Sequence, residues 1–265
     1  MSGGIFHLIN PYYSFSGFVV GLLVGMTGVG GGSLMTPLLI LLFKFHPSTA
    51  VGTDLLYAAI TKSGGTVVHG LKKTIDWRIV GRLALGSVPA TAITIFLLAR
   101  FGKNSTAASG MITFVLGCVL MLTALVLLYR GRLVAFLSAR LPPVSERKIR
   151  NLTIFTGALL GVMVSISSVG AGAIGVTVLL ILYPAIPTVR LVGSDIAHAV
   201  PLTLIAGIGH WFLGDINGHL LISLLVGSIP GIVIGSNYVV RVPDWLLRQI
   251  MAVTLVLVAA RLLGI

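Results

Sequence analysis

Apolar residues fill long runs along this chain, and short polar or glycine-rich interruptions divide those runs in the same order twice. Each half has four parts: a broken apolar segment, a more polar span and two plain spans. In the first half these parts lie at 14–43, 50–70, 82–100 and 107–129. In the second half they lie at 152–183, 191–212, 219–240 and 245–263. A run of about 20 apolar residues crosses a bilayer as a helix, so the pattern predicts an all-α integral membrane protein.

The two halves also share individual residues, which identifies them as copies of one unit. A shift of 140 residues places Gly17, Gly21 and Gly30 on Gly157, Gly161 and Gly170. One inserted residue later, polar side chains also match: Asp54 with Asp195, His69 with His210 and Ser87 with Ser228. Duplicated hydrophobic halves with corresponding broken segments are typical of secondary transporters, whose binding site lies at the breaks.

The composition agrees with a membrane protein and limits its partners. Hydrophobic residues make up 56% of the chain and charged residues only 9%, with a mean hydropathy of +1.08, whereas a soluble domain has about 25% charged residues. The net charge is +12, but the cations collect in short loops, which is the positive-inside signal rather than a nucleic-acid surface. Ten basic residues lie in two such stretches: Lys72, Lys73, Arg78, Arg82, Arg130, Arg132, Arg140, Arg147, Lys148 and Arg150. We therefore expect a multi-pass protein of the cell membrane, with the lipid bilayer as a partner and no nucleic acid.

The charges also predict how the halves are arranged. We divide the chain into a first membrane repeat at 1–130, a cytoplasmic linker at 131–150 and a second repeat at 151–265. The loop at 71–80 is basic, whereas its counterpart at 212–219 contains Asp215 and no Lys or Arg. Two copies pointing the same way would both have basic loops, so the pattern predicts inverted repeats. Each broken segment is then a re-entrant hairpin or two short helices, followed by three spans.

A glycine cluster in each broken segment is the first candidate for an anion site. Glycines let backbone N–H groups converge, and the start of the following helix adds partial positive charge. The alternative is that the glycines only allow close helix packing, which we favour for the spaced patterns that start at Gly17 and Gly227. For the contiguous cluster we favour substrate binding. The candidate residues are Gly28, Gly30, Gly31, Gly32 and Ser33 in the first copy, and Ser168, Gly170 and Gly172 in the second.

Lys62 is the most informative single side chain, because it stands near the middle of a predicted span. A charge there costs several kcal/mol unless it is paired or hydrated. We interpret Lys62 as a cation that contacts the transported anion. The alternatives are that its ammonium reaches the membrane surface or pairs structurally with Asp54, which is about two helical turns away.

The remaining titratable side chains of the polar spans are candidates for proton coupling. Asp54 and Asp195 each follow a glycine and a hydroxyl residue, so an ordinary helix cap is the favoured alternative for both. His69 and His210 match across the repeat, and an imidazole can carry a proton near neutral pH. His198 lies one turn beyond Asp195 and is a further candidate to bind the substrate.

The first broken segment resembles the signature of the TauE/SafE sulfite exporter family. The similarity rests on Gly21, Gly25 and the run Thr27-Gly28-Val29-Gly30-Gly31-Gly32, followed by Pro37 and Leu39. It continues in Pro47, Gly52-Thr53-Asp54, Ile75-Asp76 and Gly86-Ser87 and covers essentially the whole chain, although Thr177 stands where Pro37 stood. The resemblance implies transport, usually outward, of small sulfur-containing anions such as sulfite, sulfoacetate or other short sulfonates.

Several other functions stay open at this point. An uncoupled anion channel or uniporter would use the same site, and small carboxylates are an alternative substrate. A membrane scaffold would not explain Lys62, and we expect no enzyme, because no nucleophile–base pair stands out. We expect no cofactor and no metal; the single cysteine, Cys118, is interpreted as a small core residue. A homodimer is one assembly to test.

Overall fold

A computed structural model describes residues 9–27, 32–101, 106–140, 145–237 and 244–265. Every regular element in these ranges is helical, which confirms the all-α prediction. The helices of the first half are α1 (Pro11–Thr27), α2 (Gly32–Leu41), α3 (Pro47–Leu71), α4 (Trp77–Phe101) and α5 (Thr106–Arg140). Those of the second half are α6 (Glu146–Ser167), α7 (Val176–Leu182), α8 (Thr188–Leu213), α9 (Gly218–Asn237) and α10 (Asp244–Leu263), with a π-helical turn at Ala171–Gly175 before α7.

Four apolar helices of the described residues are long enough to cross a membrane. They lie at Trp77–Phe101, Thr113–Leu137, Glu146–Ser167 and Thr188–Leu213. Helix α3 has the same length as α4, 25 residues, but Asp54 and Lys62 interrupt its apolar character. Large apolar side chains are exposed along these helices, for example Phe96 and Phe155, each 67% exposed. Such surfaces are expected where a protein faces lipid.

Two close helix pairs are built on the spaced glycines. A Cβ atom added to Gly17 or Gly21 of α1 would overlap the backbone of Leu224 or Ser228 in α9. Gly21 follows Gly17 in α1, and its partner Ser228 likewise follows Leu224 in α9, so the two helices run in the same direction. Gly157 and Gly161 of α6 meet Leu83 and Ser87 of α4 in the same way, so these two helices are also parallel. The packing interpretation of the spaced glycines is confirmed at Gly17 and Gly21, and at Gly227 and Gly231 of α9, which meet the backbone of Ser14 and Phe18.

The central pair consists of α3 and α8, which run in opposite directions. Gly52, near the start of α3, packs against His210 and Asp215 at the end of α8. Gly193, near the start of α8, packs against His69 and Thr74 at the end of α3. Helix α5 packs on α10, where Gly117 contacts the Leu263 side chain. The largest group of buried apolar side chains joins both halves, because it includes Leu39, Leu55, Leu120, Leu202 and Leu255.

The described residues bear on Cys118 and on the interval between the two halves. Cys118 is exposed, so its interpretation as a core residue was wrong: it lies on an apolar outer surface that the sequence pattern could not separate from the core. The interval expected to form a linker, 131–150, is largely helical. Helix α5 continues to Arg140 and α6 starts at Glu146.

Candidate functional site

Asp54 and Asp195 lie deep inside the two central helices. Both are buried, with 0% and 2% of their surface exposed. Asp54 is in the third turn of α3, which starts at Pro47, and Asp195 is in the third turn of α8, which starts at Thr188. A capping side chain stands at the helix start, so the capping interpretation of both residues was wrong. The helices begin earlier because Pro47 and Pro187 initiate them: Pro47 is the first residue of α3, and Pro187 directly precedes α8.

Each of these aspartates contacts the second part of its own broken segment. The Thr36 hydroxyl and backbone N–H in α2 both donate to Asp54 Oδ2, at 2.6 and 3.2 Å. Asp195 Oδ1 lies directly against the Cα of Gly175 in the π-helical turn, where a Cβ would overlap it. In both residues the Oδ1 atom has no hydrogen-bond partner. Buried polar atoms are nearly always hydrogen-bonded, so these two oxygens are exceptions among the buried polar atoms of the protein.

Lys62 belongs to the same cluster. It is 8% exposed, and it interacts electrostatically with Asp195 and, less strongly, with Asp54. Within the described part of the chain, no carboxylate oxygen lies within salt-bridge distance of its ammonium. The direct structural pair with Asp54 is therefore not formed. Arg130 of α5 adds a second positive charge that acts on Asp195, a contribution that the sequence analysis missed because it assigned Arg130 to a loop.

His198 and Tyr57 occupy equivalent positions in the two central helices. His198 Nε2 is hydrogen-bonded to Ser87 Oγ at 2.8 Å, and its Nδ1 has no partner. Tyr57 lies beside Ser228, and the hydroxyls of both are buried without a partner of hydrogen-bond geometry. Tyr57 was not among the residues predicted from the sequence. The repeat contained the signal, because the shift that matches Ser87 with Ser228 also matches Tyr57 with His198.

The break in the second repeat is fully described. Helix α6 ends at Ser167. Ser168 follows it with a left-handed φ of +57°, and Gly170 has a φ of +125°. The Ser168 hydroxyl is close to Asp54 of the first repeat but forms no hydrogen bond with it. Gly172 lies in the π-helical turn. Ser168 therefore joins the cluster around Asp54, and Gly170 supplies the backbone conformation of the break.

The corresponding break in the first repeat is only partly described. Gly28, Gly30 and Gly31 lie outside the described residues. Gly32 and Ser33 are the first two residues of α2, which ends the broken segment and continues to Thr36, the partner of Asp54. The described end of the predicted glycine site, Gly32 and Ser33, is therefore joined to the cluster by α2.

His69 and His210 lie apart from this cluster, at the ends of α3 and α8. His69 Nδ1 is hydrogen-bonded to Thr74 Oγ1 at 2.8 Å. His210 Nδ1 lies 3.0 Å from Asp215 Oδ2, and its Nε2 lies 2.9 Å from the carbonyl oxygen of Ser165. A carbonyl only accepts, so Nε2 carries a hydrogen. The contact of Nδ1 with Asp215 and that of Nε2 with Ser165 join the end of α8 to the loop that follows it and to α6.

The described residues contain no group of three or more His, Cys, Asp or Glu side chains arranged to hold a metal ion. The cluster instead combines two carboxylates, one ammonium and several hydroxyls inside a bundle of apolar helices. Such groups bind small polar ions or carry protons; ionisable residues of this kind inside membrane proteins mark transport pathways. The fold and the site together define a multi-pass membrane transporter.

Comparison with known proteins agrees with this class. The family model described as "Sulfite exporter TauE/SafE" matches residues 13–262. "Probable membrane transporter protein YjnA" of Bacillus subtilis (strain 168) is 39% identical over 241 residues, which is 89% of this chain and 92% of that protein. "Probable membrane transporter protein YdhB" of the same organism is 27% identical over 247 residues, 89% of this chain and 93% of that protein. No solved structure matches the chain. The chain belongs to the TauE/SafE sulfite exporter family.

Proposed function

We propose that this protein is a secondary transporter that exports small sulfur-containing oxyanions such as sulfite, sulfoacetate and other short sulfonates. The observation that carries the proposal is the buried cluster of Lys62, Asp54 and Asp195 beside the broken segments, in a chain of the sulfite exporter family. The anion binds near the membrane midplane between the two broken segments, and each side of the membrane gains access to it in turn. The glycine backbone of the first break, from Gly28 to Gly32, contributes N–H donors.

Unpartnered polar atoms around the cluster support the binding role. Within the described part of the chain, these buried side-chain atoms lack a partner: Asp54 Oδ1, Tyr57 OH, Ser168 Oγ, Asp195 Oδ1, His198 Nδ1 and Ser228 Oγ. An anion held by Lys62 accepts hydrogen bonds from hydroxyl groups and from an imidazole N–H. We assign these contacts to Ser168 and His198, with Gly170 and Gly172 as the neighbouring backbone.

The charge of the cluster suggests that protons accompany the anion. Two ionised aspartates offset the positive charges of Lys62 and Arg130, and they repel an entering anion in a medium of low dielectric constant. A proton on Asp54 or Asp195 removes this repulsion. We propose that binding of the anion and of a proton are linked, and that His69 and His210 carry protons at the ends of the two central helices. A dianion that moves with one proton keeps one negative charge, which an inside-negative membrane potential drives outward.

We also propose that the halves are inverted repeats. The support comes from helix directions: α3 and α8 occupy equivalent places in the two halves and run antiparallel, as their contacts at Gly52 and Gly193 require. A two-fold axis in the membrane plane produces this arrangement, whereas an axis along the membrane normal would make equivalent helices parallel. Helix α1 corresponds to α6 in the repeat, and α9 corresponds to α4. The close pair α1–α9 is therefore the counterpart of the close pair α6–α4, as the two-fold axis requires.

Labelling from the two sides of the membrane tests this inverted topology. We expect cysteines introduced by Lys72→Cys and Gly218→Cys, each in a Cys118→Ala background, to react with an impermeant maleimide from opposite sides. Lys72 is exposed at the end of α3, and Gly218 has open space around its Cα. The Lys72 side should be cytoplasmic, since basic loops stay inside. Reaction of both cysteines from one side would exclude the inverted arrangement.

Flux into proteoliposomes tests the proposed function itself. We expect sulfite and sulfoacetate to move faster than size-matched carboxylates such as acetate and malonate, and the flux to respond to an imposed pH gradient at zero voltage. An empty-liposome control removes the contribution of passive sulfurous acid. Flux that follows voltage and ignores the pH gradient would favour an uncoupled channel or uniporter. Faster transport of the carboxylates would reject the sulfur-anion assignment.

A further inference from the structure

A charged cavity lies at the starts of α4 and α6, away from the central cluster. Its volume is about 430 Å³, and it is lined by Arg82, Glu146, Arg147 and Arg150. Three guanidinium groups and one carboxylate leave the cavity with an excess of two positive charges. Because α4 and α6 are parallel, their starts lie at the same end of the molecule, together with the basic loop that contains Lys72, Lys73 and Arg78.

Arg82 is held in place inside this cavity rather than being free in solvent. Its side chain is only 18% exposed, and one guanidinium NH2 group donates to Glu146 Oε1 at 3.0 Å. The other donates to the hydroxyl of Tyr183 at 3.2 Å. Tyr183 is fixed in turn by a hydrogen bond of 2.8 Å to Thr153 Oγ1. A guanidinium has five N–H donors. Arg82 is therefore held in a fixed orientation and still has unused N–H donors, which suits the binding of an oxyanion.

Among the residues that line this cavity, Glu146 is held only weakly. Its side chain is 82% exposed. The ion pair with Arg82 is therefore largely open to solvent, and such pairs contribute little to stability. Arg147 and Arg150 are exposed, and among the described residues neither guanidinium group has a hydrogen-bond partner. An incoming phosphate can therefore replace the Glu146 carboxylate on Arg82 and gain two further cations.

The surroundings of the cavity indicate a lipid rather than a soluble anion. Deeper along the same two helices, Leu85 is 68% and Phe155 is 67% exposed, so the surface next to the cavity is apolar. Trp77 at the start of α4 is 65% exposed, and tryptophan is enriched where a protein meets the lipid headgroups. Basic pockets between membrane helices on the cytoplasmic side bind anionic headgroups.

We propose that this cavity is a binding site for the phosphate group of an anionic phospholipid, which Arg82, Arg147 and Arg150 hold while the acyl chains lie along the apolar surface of α4 and α6. Through Tyr183, which follows α7, the bound headgroup braces the end of the second broken segment against α4 and α6. This site is separate from the proposed anion pathway, and its occupancy is measured without transport.

Native mass spectrometry of the detergent-solubilised protein tests the proposal, with phosphatidylglycerol and phosphatidylcholine as probes. We expect phosphatidylglycerol to bind more tightly. The double variant Arg147→Gln/Arg150→Gln should weaken its binding about 30-fold, the equivalent of about 1 kcal/mol for each charge removed. The matched control Arg132→Gln/Arg140→Gln removes two basic residues that lie outside the cavity and should leave binding within about twofold of wild type.

A third variant gives an effect of opposite sign. Glu146→Gln removes the carboxylate that competes for Arg82, so phosphatidylglycerol should bind about threefold more tightly. Three results would overturn the proposal: equal binding of the two lipids, equal losses in both double variants, or weaker binding in Glu146→Gln. Inorganic phosphate is the remaining probe. If it binds to these arginines and phosphatidylglycerol does not displace it, the site takes a soluble anion and the lipid assignment is wrong.

Discussion

Replacing Lys62 with methionine is expected to reduce anion flux by at least about 100-fold while the protein remains folded. Methionine keeps the length and the apolar stem of lysine but removes the charge that attracts the anion. A buried charge contact is worth about 3 kcal/mol or more when one partner is removed, which is the size of this loss. The remaining aspartates then have no cation from α3, and both repel an anion. Flux and substrate-induced thermal stabilisation should disappear together.

The matched control for this variant is Lys72→Met, which removes the same charge from an exposed site at the end of the same helix. It should retain flux close to that of wild type. Monodispersity in size-exclusion chromatography shows whether each variant is folded. A folded Lys62→Met protein with unchanged affinity for sulfite would show that Lys62 is structural, and the anion site would then have to be sought elsewhere.

The two halves of the cluster are equivalent in position but not in chemistry. Asp54 and Asp195 match, and so do the serines that contact Tyr57 and His198. Lys62, however, corresponds to Thr203 in the second half, whose hydroxyl donates back to the carbonyl oxygens of Ala199 and Val200 in its own helix. The positive charge is therefore supplied by one repeat. Each half contributes one aspartate and only the first half adds a lysine, and this asymmetry fits an anion whose charge is at one end, as in a short sulfonate.

The repeat made much of this cluster predictable from the sequence. Matching polar residues at Asp54 and Asp195 required no knowledge of the fold, because equivalent helices of a duplicated protein bring their equivalent residues together. Lys62 was identified because an isolated charge in an apolar span is unfavourable. The described structure brings all three into one buried group. Their roles in binding and proton coupling stay predictions.

What the sequence did not predict depends on helix boundaries and on packing. The capping interpretation of Asp54 placed the start of α3 about two turns too late, because it relied on the Gly-Thr-Asp pattern at 52–54 rather than on Pro47, which is the first residue of the helix. Arg130 and Cys118 were misjudged for related reasons: α5 extends beyond the apolar run, and a helix in lipid is apolar on both its inner and outer faces. The contacts of Arg82 with Tyr183 and Glu146 join residues far apart in the chain, and no local sequence pattern predicts them.

Adding a single methyl group at Gly86 is expected to destabilise the protein by more than about 3 kcal/mol, whereas the same change at Gly81 should be neutral or stabilise it by up to about 1 kcal/mol. Both glycines lie in α4. A Cβ at Gly86 would overlap the carbonyl oxygen of Ile154 and lie 2.6 Å from the backbone nitrogen of Ala158, while nothing lies within 4 Å of a Cβ at Gly81. Because the obstacle is backbone, α4 and α6 must separate to accommodate Gly86→Ala.

The equivalent glycine in the second repeat allows an internal check. Gly227 of α9 meets the carbonyl oxygen of Ser14 in α1 as Gly86 meets that of Ile154 in α6. Gly227→Ala should therefore lower the thermal unfolding temperature about as much as Gly86→Ala does, and Gly81→Ala should not lower it. Scanning fluorimetry of the three variants in one detergent makes the comparison direct. Similar temperatures for Gly81→Ala and Gly86→Ala would mean that the α4–α6 pair is looser than these contacts describe, and that the cluster between the two pairs is held by other helices.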